Sequence, residues 1–267
     1  MSRRAVILAG GMGTRLRPYT VVLPKPLMPI GDYPILEVII RQLISGGFQH
    51  ITLAVNHQAE LIKAFFQDGD KWGVRIDYSL EDQPLGTMIL NPEIARYRRV
   101  RQSLASILVT LGGADTYGVT VRVTKWLSGK PFPVTIVTGP SFQHMAELEE
   151  VVSTAEPDRF KLLNQVPSLA AEMYGHDLAI TGGGVTPFEA CAAGLPCVVI
   201  ANEAFEIPVG RALEGLGAAF FAGHHSEFDL GILEKAIPIR SMSETAMTKV
   251  DLGGVGRVAA LLERLAA

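Results

Sequence analysis

Two glycine-rich phrases carry the residue types that phosphate chemistry requires. The first is Ala9-Gly10-Gly11-Met12-Gly13-Thr14-Arg15-Leu16-Arg17-Pro18, followed by Leu23-Pro24-Lys25-Pro26-Leu27. Glycines let backbone N–H groups come close to a polyphosphate, and Arg15 and Lys25 supply countercharge. The second is Thr181-Gly182-Gly183-Gly184-Val185-Thr186-Pro187-Phe188-Glu189. Thr186 and Glu189 match the Thr-x-x-Glu capping box and Pro187 takes the favoured first helical position, which predicts a helix beginning at Thr186. Its free N–H groups and those of the glycines would converge on a phosphate, with Glu189 accepting from ribose hydroxyls. Capping alone also accounts for Glu189, but it needs no run of three glycines. A third turn, Gly112-Gly113-Ala114-Asp115 after Ile107–Leu111, reads either as a diphosphate lip or as a plain strand-to-helix turn.

These phrases sit where strands give way to helices. Ala5–Leu8, Ile51–Ala54, Arg75–Ser79, Ile107–Leu111, Val134–Thr138, Leu178–Thr181, Cys197–Ile200 and Ala218–Phe221 read as buried parallel strands. Between them Ile35–Ile44, Ala59–Gln67, Gln143–Thr154, Ser168–Tyr174, Thr186–Ala193 and Ile207–Leu216 have helical periodicity. Strict alternation predicts an α/β protein of two doubly wound, Rossmann-like parallel-sheet units, whose ligand crevices open at strand C-termini. Asn91–Arg101, with Arg96, Arg98, Arg99 and Arg101, breaks the rhythm and marks an interdomain junction. The favoured reading of its arginines is a solvated helix face. His224-His225 lies in a polar stretch that reads as a surface turn rather than a metal site.

Composition narrows the classes. With 48% hydrophobic and 19% charged residues over 267 positions, the chain can bury a substantial core. A net charge of −3 gives no broad positive field for a nucleic-acid backbone. Cys191 and Cys197 lie in apolar stretches without metal-ligand spacing, so both are expected to be buried thiols, with no metal site. Apolar runs such as Leu195–Ala201 are far short of a membrane span, and the start lacks a signal-peptide pattern. A cytoplasmic protein is the expectation.

Residues 1–87 resemble the sugar-1-phosphate nucleotidylyltransferases, on the strength of the Gly10–Pro18 and Pro24–Leu27 phrases and of Glu81-Asp82-Gln83-Pro84-Leu85-Gly86-Thr87. The resemblance implies that Gly10, Gly11, Gly13, Thr14 and Arg15 form a loop for a nucleoside triphosphate and that Lys25 assists phosphoryl chemistry. In that family a later strand ends in a Gly-Asp pair whose aspartate holds magnesium, and no such pair follows Thr87 in a suitable place.

Residues 88–267 resemble the C-terminal domain of GT-B glycosyltransferases, especially the nucleotide-sugar hydrolase of pseudaminic acid biosynthesis and its spore-coat polysaccharide relatives. The phrases are Ile107–Asp115, Val137-Thr138-Gly139-Pro140, Asn164–Ala170, Gly182–Pro196, Met242-Ser243-Glu244 and Val250–Gly254. They imply a nucleotide-sugar site in which Gly112, Gly113 and Asp115 form a lip, Gly183, Gly184 and Thr186 hold phosphate, Glu189 holds ribose and Val166 meets uracil. Relatives often carry Asn-Gln where this chain has Phe205-Glu206, which replaces a donor amide with a carboxylate near the sugar. The catalytic histidine of that family has no counterpart in the N-terminal loop; His57 is the nearest, and the general base is unidentified.

The expected architecture is GT-B-like, and the expected activity is glycosyl transfer or hydrolysis of a UDP-sugar, without a required cofactor. The alternatives are a magnesium-dependent sugar-1-phosphate nucleotidylyltransferase and a non-catalytic nucleotide-binding fusion. A homo-oligomer is compatible with all three.

Overall fold

The computed structural model describes residues 3–10, 23–55, 59–80 and 90–256. The chain divides into two units, Met1–Met88 and Ile89–Ala267. The first contains β1 (Arg3–Leu8), a short antiparallel ribbon of β2 (Pro29–Ile30) and β3 (Tyr33–Pro34), α1 (Ile35–Ser45), β4 (Phe48–Val55), α2 (Ala59–Phe66) and β5 (Arg75–Leu80). Its sheet runs β1-β4-β5 with both pairings parallel. Central β4 contributes Ile51, Leu53 and Val55 to a core completed by Leu36, Ile40, Ile62 and Phe66.

Among the described residues of that unit one carboxylate is buried. Glu37 on α1 accepts hydrogen bonds from Trp72 Nε1 at 3.0 Å and from Arg41 Nε and Nη2 at 2.9 and 2.6 Å. Burial pushes the Glu37 pKa up, but these donors outweigh it and hold the carboxyl below its ordinary value.

The second unit holds β6 (Ile107–Thr110), α3 (Val119–Leu127), β7 (Val134–Thr138), α4 (Met145–Ser153), β8 (Phe160–Asn164), α5 (Leu169–Tyr174) and β9 (Leu178–Thr181). It continues through α6 (Thr186–Ala192), β10 (Cys197–Ala201), α7 (Ile207–Gly215), β11 (Ala219–His224), β12 (Glu227–Phe228) and α8 (Ile239–Lys249). The sheet order is β12-β11-β10-β9-β6-β7-β8, parallel throughout except for β11–β12. Alternate residues of each strand feed two helical layers. Ile107, Val109, Leu178 and Ile180 pack with Val123, Leu127 and Leu148, while Leu108 and Ala179 pack with Met173, Ala190 and Cys191. The α/β reading with parallel sheets therefore holds, and the second unit is doubly wound. Cys191 and Cys197 are both buried free thiols, and no helix among the described residues is long and apolar enough to cross a membrane.

The arginine run corrects the sequence reading. Residues Pro92–Tyr97 form a 3-10 helix, and the chain after it crosses the C-terminal ends of α5 and α6. Arg96 is exposed, but Arg101 is fully buried. Arg98 donates to Ala192 O at 3.0 Å and Met247 O at 2.9 Å; Arg99 donates to Tyr174 O at 2.8 Å, His176 O at 3.0 Å and Asp177 Oδ1 at 3.2 Å. Arg101 reaches Met173 O at 2.7 Å, Arg99 O at 2.8 Å, His176 O at 3.1 Å and Ala193 O. Helix C-termini leave carbonyls unpaired and carry partial negative charge, so cations are favoured there. Burial, with some repulsion from Arg99, lowers the Arg101 pKa to about 10.

Replacing Arg101 with Met leaves these buried carbonyls without donors. The expected loss is about 3–5 kcal/mol of stability, the usual range for breaking a buried charged network. Urea unfolding measures it, and an unchanged midpoint for Arg101→Met would remove the guanidinium from its structural role.

Candidate functional site

In the first unit, β1 runs into Ala9 and Gly10, both buried, and Ala9 N–H donates to Ala54 O at 2.8 Å. Gly11, Gly13, Thr14, Arg15 and His57 lie outside the described residues. Lys25 opens a 3-10 turn, Lys25–Leu27, that is anchored by buried Leu27 and by Ile35 N–H donating to Met28 O at 2.9 Å. Pro24 and Pro26 flank Lys25 and restrict its backbone. Lys25 is exposed, and it lines a cavity of about 280 Å³ with Leu8, Ala9, Ile35 and Ile39. The structure thus places Lys25 beside the C-terminal end of β1.

In the second unit the predicted residues lie beyond the C-terminal ends of β6, β8, β9 and β10. Gly112 has φ +90°, and Asp115 follows at φ 41° with a buried side chain. Its Oδ1 accepts Val119 N–H at 2.9 Å and its Oδ2 accepts Thr120 N–H at 2.7 Å. Both oxygens therefore serve the first turn of α3. Gly113 meets the turn after β7, where a Cβ on Gly139 would stand 2.4 Å from Gly113 Cα.

The β9–α6 turn departs from the sequence reading at one point. Val185 is already in right-handed helical conformation and makes no side-chain cap, so Thr186 is a helical residue and the capping box does not form. Glu189 N–H donates to Val185 O at 3.2 Å, an ordinary backbone bond. Thr186 and Glu189 side chains are consequently uncommitted to helix capping. Glu189 is half-buried beside a cavity of about 130 Å³ that it lines with Asn91, Glu93, Pro167 and Ser168. Burial pushes its pKa up.

Gly183 and Glu206 are in direct contact: Gly183 N–H donates to Glu206 Oε2 at 3.2 Å, and Asn202 N–H donates to the same oxygen at 2.8 Å. Gly184 is exposed, with open space where a Cβ would sit. Val166 packs against the core near α5, just after Gln165, whose φ of 58° turns the chain at the end of β8. The set therefore splits into Gly183 with Glu206, Glu189 beside the β8–α5 turn, and Asp115 within its own turn.

Three features escaped the sequence reading. Asn202 joins two turns, its Nδ2 donating to Leu111 O at 3.1 Å. Glu93 accepts from Ser168 Oγ at 3.4 Å. His225 stacks on Tyr117 with ring centroids 3.5 Å apart and planes at 10°, and burial, aided by His224, lowers its pKa. Asn202 had a faint signal in its place just past a buried strand; the other two pairs are far apart in sequence. Among the described residues no group of three or more His, Cys, Asp or Glu is arranged to hold a metal ion. Asp115, in the turn after β6, is committed to α3.

The Glu189 carboxyl gives a pH-dependent expectation. Its folded pKa lies above its value of 4.5 when free, so ionisation costs stability as pH rises through the folded value and costs none below 4.5. Glu189→Gln should match wild type in urea unfolding at pH 4 and exceed it at pH 7.5. Equal midpoints at both pH values would show that the carboxyl is not desolvated.

Residues 4–119 match the family model described as nucleotidyl transferase. This span continues past the boundary between the units, through β6, to the first residue of α3. A D-glycero-alpha-D-manno-heptose 1-phosphate guanylyltransferase of Campylobacter jejuni is 45% identical over 84 residues, 32% of this chain and 38% of the relative. A UTP–glucose-1-phosphate uridylyltransferase of Synechocystis is 46% identical over 78 residues, 29% of this chain and 20% of the relative. The chain thus spans well under half the length of these relatives. Among solved structures, WaaG, a glycosyltransferase involved in lipopolysaccharide biosynthesis, matches with TM-score 0.53 and 12% identity, over 89% of this chain and 85% of its own.

At 12% identity the likeness to WaaG is one of fold, whereas the nucleotidyl transferase likeness is one of sequence. This overturns the expectation of glycosyl transfer or UDP-sugar hydrolysis as the activity and favours the nucleotidylyltransferase alternative. Over residues 4–119 the chain is similar in sequence to nucleotidyl transferases, and its α/β fold is like that of the GT-B glycosyltransferase WaaG.

Proposed function

We propose that the chain is a sugar-1-phosphate nucleotidylyltransferase. The observation that carries the reading is the nucleotidyl transferase match over residues 4–119, which includes the whole Gly10–Pro18 and Pro24–Leu27 pattern. The position of Lys25 in one cavity with the end of β1 supports it. In the reaction, a phosphate oxygen of the sugar 1-phosphate attacks the α-phosphorus of a nucleoside triphosphate. A new P–O bond forms, the bond to the bridging oxygen of the β-phosphate breaks, and pyrophosphate leaves. Gly10, Gly11, Gly13 and Thr14 cradle the triphosphate with backbone N–H groups, Arg15 neutralises its charge, and Lys25 stabilises charge developing around the α-phosphorus.

The relatives named above use different nucleotides, so the base is left to experiment. In the same reading the second unit holds the nucleotide portion of a UDP-sugar or related nucleotide. Gly112 and Gly113 form one lip, Gly183, Gly184 and Thr186 the phosphate side, Glu189 the ribose side, and Val166 the base edge, with Glu206 next to the sugar. Supporting this, the Thr186 and Glu189 side chains make no hydrogen bond among the described residues, and Glu189 faces a cavity.

Pyrophosphate release tests the catalytic reading, with magnesium, GTP, UTP or dTTP, and a panel of sugar 1-phosphates. Turnover is expected with one pairing, with Arg15→Ala and Lys25→Ala each reducing kcat/KM by about 100-fold or more, as for removal of a preorganised charge-stabilising group. No pyrophosphate with any pairing, or turnover indifferent to both substitutions, would refute it.

A further inference from the structure

The turns after β9 and β10 meet on one carboxylate. Glu206 Oε2 takes the backbone N–H groups of both Gly183 and Asn202, at 3.2 and 2.8 Å. The fit leaves no room for a side chain on the glycine: a Cβ at Gly183 would stand 2.5 Å from Glu206 Cβ and 3.0 Å from Glu206 O. Two backbone amides converging on one oxygen anion is the arrangement by which protein turns bind phosphate, and here the anion belongs to the chain itself.

Polar capacity remains around that carboxylate. Asn202 Oδ1 and Thr181 Oγ1 are buried with no hydrogen-bond partner among the described residues, and Thr181, fully buried, directly precedes Gly182. Native folds pair nearly all such atoms, so two orphans, one at the end of β9 and one in the turn after β10, mark a place for ligand hydroxyls or N–H groups. Glu206 is well placed to move. It ends the 3-10 turn Ala204–Glu206, ahead of α7, and is only partly buried, so its side chain has an outlet to solvent.

We propose that Glu206 is an internal stand-in for phosphate: it occupies the anion seat formed by the Gly183 and Asn202 amides, and a nucleoside diphosphate takes that seat only by displacing it. The proposal rests on the reading that the second unit binds a nucleotide. It makes Glu206 a specificity-determining residue. A ligand must offer an oxyanion that the two amides prefer to a tethered carboxylate, together with hydroxyl groups for Asn202 Oδ1 and Thr181 Oγ1. Like-charge repulsion between an ionised Glu206 and an incoming diphosphate raises the threshold further.

Calorimetric titration of the full chain with uridine diphosphate tests this, comparing wild type with Glu206→Ala and the isosteric Glu206→Gln, and checking each for native circular dichroism. Vacating the seat should tighten binding at least tenfold in Glu206→Ala, with Glu206→Gln between it and wild type because a neutral amide holds the two N–H groups less strongly. Should Glu206→Ala fail to fold, tighter binding by Glu206→Gln alone carries the proposal. Equal or weaker affinity in the variants, with wild type binding, overturns the stand-in role and leaves the nucleotide reading intact. Absence of binding by all three proteins overturns both.

Discussion

The second unit depends on a cation placed where helices end. Arg101 has no solvent exposure, yet its guanidinium meets carbonyls of Met173, Arg99, His176 and Ala193. An arginine is suited to this because its planar fork presents five donors in fixed directions and stays charged when buried. Its own backbone N–H is taken by Ser243 Oγ on α8. The contact therefore ties the segment before β6 to α5, α6 and α8 together. Gly194 completes the arrangement: at φ +77° it ends α6 closely enough that a Cβ would stand 2.5 Å from Arg99 O and from Met247 Sδ.

That clamp has consequences for the crest of the sheet. With α5 and α6 held at their C-terminal ends, their N-terminal ends and the turns before them bring Ser168 and Glu189 to the same small cavity. The segment that supplies the arginines also supplies Asn91 and Glu93 to its wall. On the neighbouring side, Glu206 links the turns after β9 and β10, and Asn202 links the latter to the end of β6. Polar groups at the strand ends thus serve one another, leaving Asn202 Oδ1 and Thr181 Oγ1 over. The first unit concentrates its buried charge elsewhere, at Glu37, where Trp72 and Arg41 bind the carboxylate between α1 and the turn before β5.

Much of the fold was legible because buried parallel strands are short continuous apolar runs with helical periodicity between them. β6, β7, β9 and β10 all read this way, each being buried along its length. β8 did not, since Phe160–Asn164 is an edge strand whose residues are half-exposed or exposed. α8 was missed for a related reason: it buries only Ile239, Met242, Ser243 and Ala246 in an otherwise polar stretch. The capping box failed on a purely local point, because Val185 had already entered the helix and moved Thr186 past the cap position.

Taken alone, the sequence determined the α/β class, the glycine turns at strand ends, the buried thiols and the nucleotidyl transferase pattern of Gly10–Leu27, because each is written in neighbouring residues. Only the tertiary structure decided what the charged side chains do. Arg101 and Glu206 stand in the sequence as a member of a basic run and as a substitution beside a phenylalanine. Their partners lie as far as 92 and 23 positions away, brought close by strand order, and no local spacing reports which carbonyls or amides a buried charge will meet. The same holds for Asp115, whose two oxygens went to α3 because a left-handed turn at φ 41° aimed them there.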